Sequence, residues 1–280
     1  MRRLGVHTSI AGGLHFSLER ARQLGCTTLQ IFSHNPRSWL IHRIPMEAIE
    51  KFRDLKKSYD IKPVFIHTSY LINLASANLD VRGKSIQLLI KEMDIADSLD
   101  ADYVVLHTGS ASREDEAVGR QRAVEALMVV SRVRSWPAKL LLENTAGEKG
   151  DISSRMRNLA EIAHGADNRL IGGICLDTCH AFQAGYEISR EEGVSGIAAE
   201  IETFLGLDGV KLIHLNDSKR GFNARVDRHE HIGAGGIGAE GLKRFINHPD
   251  FRDIPLILET PKKSDDDDPL NLKVVRGFLK

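Results

Sequence analysis

Tyr103-Val-Val-Leu-His107 is a β-branched apolar run that stops on an imidazole, and the chain repeats that arrangement with different endings. LGVH ends at His7, VFIH at His67, KLLLE at Glu143, GGICLD at Asp177, VKLIH at His214 and PLILE at Glu259. Short apolar runs bounded by polar residues read as strands buried on both faces of a parallel sheet. An eighth run, Thr27-Thr-Leu-Gln-Ile-Phe-Ser33, ends instead in the polar turn SHNPRSW. Helix-patterned segments separate the runs at 14–24, 45–59, 81–99, 114–133, 152–163, 194–205, 240–246 and 270–279, with Asp80 and Asp151 placed as caps. Strand and helix alternating in this way predict an α/β fold, a single (β/α)8 TIM barrel in one domain over residues 1–280.

The bulk properties agree with that size and narrow the setting. The 280 residues are 42% hydrophobic, and 38 Lys and Arg balance 38 Asp and Glu, so any anionic partner must be attracted locally. Cys26, Cys175 and Cys179 are too few and too irregular for a disulfide framework, which suits a reducing cytoplasm. The N-terminus enters a strand directly and no apolar run approaches the roughly 18 residues of a membrane span, so neither secretion nor a membrane is expected. The acidic run Asp265 to Asp268 reads as a solvated loop capping the last helix.

Residues at the C-terminal ends of barrel strands build the active site. One strand ending in histidine is ordinary, but so many ionisable endings around one mouth are costly unless cations pair them. Asp177-Thr-Cys-His180 adds a histidine that a turn can bring back to the mouth. In Asp227-Arg-His229-Glu-His231 the side chains at 227, 229 and 231 share one side if the segment is extended. The best candidate ligands are His67, His107, Glu143, Asp177, His180, His214, Asp227, His229 and Glu259, a set poor in sulfur that suits zinc or manganese. Nine donors suffice for about three ions, whose charge outweighs four carboxylates and leaves a cationic mouth fit for a phosphate diester. Gly233-Ala-Gly-Gly-Ile-Gly238 spells a dinucleotide fingerprint, but the polar DRHEH before it is no buried strand, so a flexible loop over the mouth and no nucleotide cofactor are expected. The competing expectations are a divalent-metal sugar isomerase or epimerase on a similar barrel, needing only one or two ions, and a DNA-damage binding protein with structural metals.

Glu143-Asn-Thr-Ala-Gly147, Cys175-Leu-Asp-Thr-Cys-His180, His214-Leu-Asn-Asp-Ser-Lys219, Asp227-Arg-His-Glu-His-Ile-Gly233 and Leu258-Glu-Thr-Pro261 together resemble the endonuclease IV family of apurinic/apyrimidinic endonucleases, over almost the whole chain. The resemblance implies a zinc-dependent DNA repair enzyme cutting double-stranded DNA 5′ to an abasic site, leaving a 3′-hydroxyl and a 5′-deoxyribose phosphate. It implies three zinc ions, with manganese an alternative at one position; the sequence offers no clear oligomer interface, so a monomer is expected, in the cytoplasm and at the nucleoid by function. Glu143, the catalytic carboxylate, would bridge two zincs, with His67 and His107 completing one and Asp177, His214 and Glu259 the second; His180, Asp227 and His229 would hold the third. Arg37, Tyr70, Leu71, Lys219 and Arg220 have counterparts that contact DNA, and Trp39 is as well read as loop packing. The sequence departs from the family pattern at Thr68, Thr108 and His231.

Overall fold

The computed structural model describes residues 2–279. Its strands are β1 (Leu4–Val6), β2 (Leu29–Phe32), β3 (Val64–His67), β4 (Tyr103–His107), β5 (Lys139–Glu143), β6 (Ile171–Asp177), β7 (Val210–His214), β8 (Asp217–Ser218), β9 (His229–Glu230) and β10 (Leu256–Leu258). Eight of them form one parallel sheet in the order β1-β10-β7-β6-β5-β4-β3-β2, while β8 and β9 make a small antiparallel ladder after β7. The two ends of the sheet meet where His7 bridges Gln30 in parallel and the Thr8 N–H donates to the Gln30 carbonyl at 2.8 Å. β1 passes so close to the next strand that a Cβ on Gly5 would stand 2.0 Å from the Thr28 carbonyl oxygen. Only glycine permits that approach.

Side chains alternate across a strand, and this sorts each strand's residues between two apolar regions. Val104, Leu106, Leu140 and Leu142 face outward into the large core beneath the helices. Phe65, Val105, Leu141, Cys175, Leu212 and Ile257 form a separate cluster that fills the barrel, with the Phe65 ring stacked on Tyr103 at 5.7 Å. Two positions after each member of that inner cluster stands an ionisable residue, respectively His67, His107, Glu143, Asp177, His214 and Glu259. The apolar layer is therefore the floor on which the charged layer sits. Burial of each large apolar side chain there contributes about 1.5–3 kcal/mol.

The outer helices are α1 (Leu14–Gln23), α2 (Met46–Ser58), α3 (Leu79–Ser98), α4 (Glu116–Ser131), α5 (Met156–Gly165), α6 (Thr178–Gln183), α7 (Glu191–Phe204), α8 (Gly238–Asn247) and α9 (Asp267–Phe278). Two expected caps are corrected. Asn78, not Asp80, caps α3, its Oδ1 accepting from the Asp80 and Val81 N–H groups at 2.9 and 3.1 Å. Asp151 lies ahead of α5 but spends its Oδ2 on the Gly147 and Glu148 N–H groups of the preceding loop, so the helix starts later than expected. In the acidic run, Asp267 accepts from the Lys263 and Ser264 N–H groups at 2.6 and 2.8 Å and closes the turn into α9.

Candidate metal centre

The ligand candidates converge from six strands and two connecting segments. His67, His107 and Glu143 bring one donor atom each within 4.8 Å of one another, as do Glu143, Asp177, His214 and Glu259, and again His180, Asp227 and His229. Glu143 belongs to two of these groups and is fully buried; its Oε2 stands 2.9 Å from His107 Nε2 and 3.3 Å from His67 Nε2, and its Oε1 3.0 Å from His214 Nδ1.

The turn expected between Asp177 and His180 is the first turn of α6. Asp177 is its N-cap, accepting from the His180 N–H at 2.7 Å, which fixes the spacing of carboxylate and imidazole. A second arm arrives on the β8–β9 ladder. There His229 Nε2 lies 3.5 Å and His180 Nε2 3.2 Å from Asp227 Oδ1. His231 does not join them, since its Nδ1 stands 3.0 Å from the Asn271 Nδ2.

The Gly-rich segment corrects another expectation. It is no flexible loop over the mouth but a nest of backbone donors wrapped round buried Asp217. Gly233, Gly235 and Ile237 donate their N–H groups to that carboxylate at 3.0, 3.0 and 2.9 Å. A Cβ on Gly235 would meet the Ser218 carbonyl oxygen at 2.3 Å.

Hydrogen bonds also fix which imidazole nitrogen faces the centre. Nδ1 of His67, His180 and His229 lies 2.8, 2.9 and 3.0 Å from the carbonyl oxygens of Thr68, Asn144 and Glu259. A carbonyl only accepts, so each Nδ1 carries a proton and each Nε2 is the nitrogen turned to the centre. His214 is reversed: its Nδ1 faces Glu143, while its Nε2 lies 2.8 Å from Gln30 Oε1.

These residues fit divalent cations. Nε2 of His229 is buried with no hydrogen-bond partner among the described residues, and buried Nε2 of His180 faces the Asp227 carboxylate at 3.2 Å. Burial opposes ionisation of Glu143, yet the charges of His107 and His214 hold its carboxyl well below the ordinary range. Burial likewise opposes a charge on His180, and Asp177 and Asp227 overcome it and raise that imidazole well above its ordinary value. A field that draws protons so strongly onto buried imidazoles draws cations equally. Cys175 and Cys179 also come near the clusters, but burial pushes both thiols up to about 12, leaving nitrogen and oxygen as the donors.

The centre opens into a cavity of about 940 Å³ lined by Tyr70, His34, Arg228 and Lys262 among others. Tyr70 is 64% exposed and packs edge-on against Phe32 at 5.1 Å. Ser69 Oγ and the Tyr70 N–H both donate to the Pro36 carbonyl, at 2.7 and 3.2 Å, and so join the 33–39 and 69–71 loops. Arg37, Lys219 and Arg220 are exposed on surrounding loops outside the cavity wall, Leu71 is half-buried there, and Trp39 is 37% exposed. Sequence reasoning missed Arg228 and Lys262, both cationic and both on the wall. Arg228 stands inside the ligand motif itself, and Lys262 follows the last ligand by three residues.

Comparison with known proteins places the chain in a family. Residues 18–280 match the family model of the xylose isomerase-like TIM barrel. The chain is 43% identical over 271 residues to a protein named probable endonuclease 4 from Halothermothrix orenii, covering 96% of this chain and 97% of that one. Endonuclease IV from Thermus thermophilus superposes with a TM-score of 0.87 at 39% identity, covering 99% of this chain and 98% of that one. A D-tagatose 3-epimerase-like protein shares the barrel with a TM-score of 0.74 at 20% identity, over 99% of this chain and 97% of its own, a likeness of fold alone. By its full-length relatives and its barrel, this chain belongs to the endonuclease IV family of xylose isomerase-like TIM barrels.

Proposed function

We propose that this chain is a zinc-dependent endonuclease of DNA repair that hydrolyses the phosphodiester bond 5′ to an abasic site, leaving a 3′-hydroxyl and a 5′-deoxyribose phosphate. The observation that carries the reading is the convergence of three donor groups on one cavity floor, two of them sharing Glu143. His67, His107 and Glu143 would hold one ion; Glu143, Asp177, His214 and Glu259 a second; His180, Asp227 and His229 a third. Zinc suits this nitrogen and oxygen set, with manganese an alternative at one position. When bound, such clustered ions supply Lewis acidity toward phosphoryl oxygens and a nucleophile at neutral pH.

The chain's own residues do the rest. Glu143 is the shared anion that keeps two cationic positions adjacent. Tyr70 projects from the rim, where its ring can enter the space a missing base leaves in a duplex. Extruding an abasic nucleotide costs little, because there is no base to unstack, so selectivity needs no base-specific contact. Half-buried Leu71 follows Tyr70 on the same loop, while Arg37, Lys219 and Arg220, all exposed, are placed to meet phosphates on the flanking strands. The buried Phe65-to-Ile257 layer closes the site from below.

We take the enzyme to act as a monomer in the cytoplasm. The three buried cysteines are free, which accords with a reducing compartment, and no helix among the described residues is long and apolar enough to cross a membrane. A sugar isomerase is the weaker reading, because its support is likeness of barrel while the full-length relatives carry endonuclease names. Metal content by plasma mass spectrometry, with cleavage of a duplex carrying one abasic-site analogue, tests the proposal. Near three zincs per chain with a nick 5′ to the lesion is expected; an intact duplex with fully loaded protein refutes it.

A further inference from the structure

Among the histidines assigned to the metals, His214 alone turns Nδ1 to the centre while a side chain holds its Nε2. That side chain is Gln30, fully buried on β2, the one barrel strand that neither ends in nor directly precedes a histidine or carboxylate. Its amide makes three contacts. Oε1 lies 2.8 Å from His214 Nε2, and Nε2 lies 2.6 Å from Glu259 Oε1 and 3.0 Å from His7 Nδ1. An amide has one acceptor oxygen and two N–H donors, so these contacts occupy all three functions. The orientation is forced, since turning the amide over would set its oxygen against the Glu259 carboxylate, two acceptors at 2.6 Å.

We infer that Gln30 is a positioning residue of the metal centre, which through one amide fixes the tautomers of His214 and His7 and the rotamer of Glu259. The inference rests on the proposed metal-dependent reading of this site. With its oxygen as acceptor, His214 must carry a proton on Nε2, which leaves Nδ1 to face the centre, 3.0 Å from Glu143 Oε1 and 3.2 Å from Glu259 Oε2. A lone pair facing two carboxylates is stable only with a cation between them. With an amide N–H on its Nδ1, His7 carries its own proton on Nε2, a buried atom with no partner among the described residues, in a ring that lines the cavity. Gln30 thus prepares a ligand on one side and a neutral N–H donor on the other. The other assigned histidines with a settled tautomer take it from backbone carbonyls, which no substitution removes. This one depends on a single replaceable side chain.

The test is Gln30→Met, which keeps length and apolar volume but has neither amide donors nor its oxygen; Gln30→Ala, leaving space instead of bulk, replaces it if the Met variant does not fold. Nitrogen-15 spectra of histidine-labelled protein, zinc-loaded and chelator-treated, report the tautomers, and competition with a chromophoric chelator reports zinc affinity. Wild type is expected to show His214 and His7 protonated on Nε2. The variant should show mixed tautomers and zinc affinity lowered by about 10- to 100-fold, the usual cost of losing such a partner, with its circular dichroism unchanged. Unaltered tautomers together with unaltered zinc affinity in the variant would overturn the inference. If loaded wild type leaves an abasic duplex intact, the proposed function fails by itself, and the comparison of His7 tautomers in chelator-treated proteins still decides the role of Gln30.

Discussion

Glu92 supplies a prediction whose size can be worked out. It sits on α3 with no exposed surface, beneath the joined 33–39 and 69–71 loops. Oε1 accepts from the Ser69 N–H at 3.0 Å and lies 3.4 Å from His34 Nδ1, while Oε2 is buried with no hydrogen-bond partner among the described residues. Burial pushes this carboxyl from 4.5 up to about 8 against the opposing pull of the Ser69 N–H. Burial also lowers His34, which weakens it as a countercharge. Below pH 4.5 the folded and unfolded chains both hold the proton and the group is neutral in its effect. Between 4.5 and about 8 only the folded chain holds it, so stability falls as pH rises through that window. At about 1.4 kcal/mol per pH unit, the loss accumulated by pH 7 is about 3 kcal/mol. Glu92→Gln keeps the acceptor for Ser69 and has nothing to ionise. Urea denaturation of both proteins in the same chelator-containing buffer, at intervals from pH 4.5 to 8, should give a variant-minus-wild-type difference that rises by about 3 kcal/mol between pH 4.5 and 7. Any constant cost of burying an amide N–H shifts the whole curve without changing its slope. Parallel curves for the two proteins would refute the reasoning.

Glu143→Gln removes the shared anion but little volume; cleavage of an abasic duplex should fall by at least about two to three orders of magnitude, with circular dichroism unchanged, and retained activity at normal metal content would count against the assignment. Tyr70→Ala should weaken binding to abasic duplex several-fold while leaving zinc content intact, and equal affinity in a gel-shift titration would mean that Tyr70 only packs against Phe32. Gly235→Ala drives a methyl into the Ser218 carbonyl and should cost about 1–3 kcal/mol in urea denaturation; an unshifted midpoint would mean that the nest around Asp217 can yield. Chelation should lower the melting temperature, because each ion bound only by the folded chain at a hundred times its Kd adds about 2.7 kcal/mol, and a melting curve indifferent to chelator would speak against folding-coupled metal sites.

The barrel and its ring of ligand candidates were legible because both are written in one short-range pattern. An apolar run such as Tyr103-Val-Val-Leu predicts a strand, and the polar residue that ends it marks the barrel mouth. Gln30 escaped because its strand ends at the mouth without a metal-binding residue, and an amide inside a strand signals nothing until His7, His214 and Glu259 close round it from other strands. Glu92, in Ile-Lys-Glu-Met, looks like the polar face of a helix, and only the packing of two loops over it turns it into a buried acid. The glycine segment misled for a related reason. Glycines signal freedom of backbone conformation, but whether that freedom serves motion or close approach depends on Asp217, remote in sequence from most of them. Asp80 and Asp151 were plausible caps by residue type, and neighbours decided otherwise: Asn78 supplied a better-placed oxygen, and the 147–148 amides claimed the other carboxylate.

The two-residue step from barrel floor to ligand layer sets rules for how this protein can vary. A substitution at a mouth position alters reactivity while its neighbour two places back keeps the barrel plugged, so different chemistries can be exchanged on one scaffold at little risk to folding. A residue inserted early in a strand has no such tolerance: in β5 it would turn Leu141 toward the helices and present Leu142 where Glu143 now stands, exchanging the inner and outer sets at once. Lineages descending from such a barrel should therefore differ freely in which side chains occupy the rim and in the length of the loops beyond it, while the count of residues within each strand stays frozen.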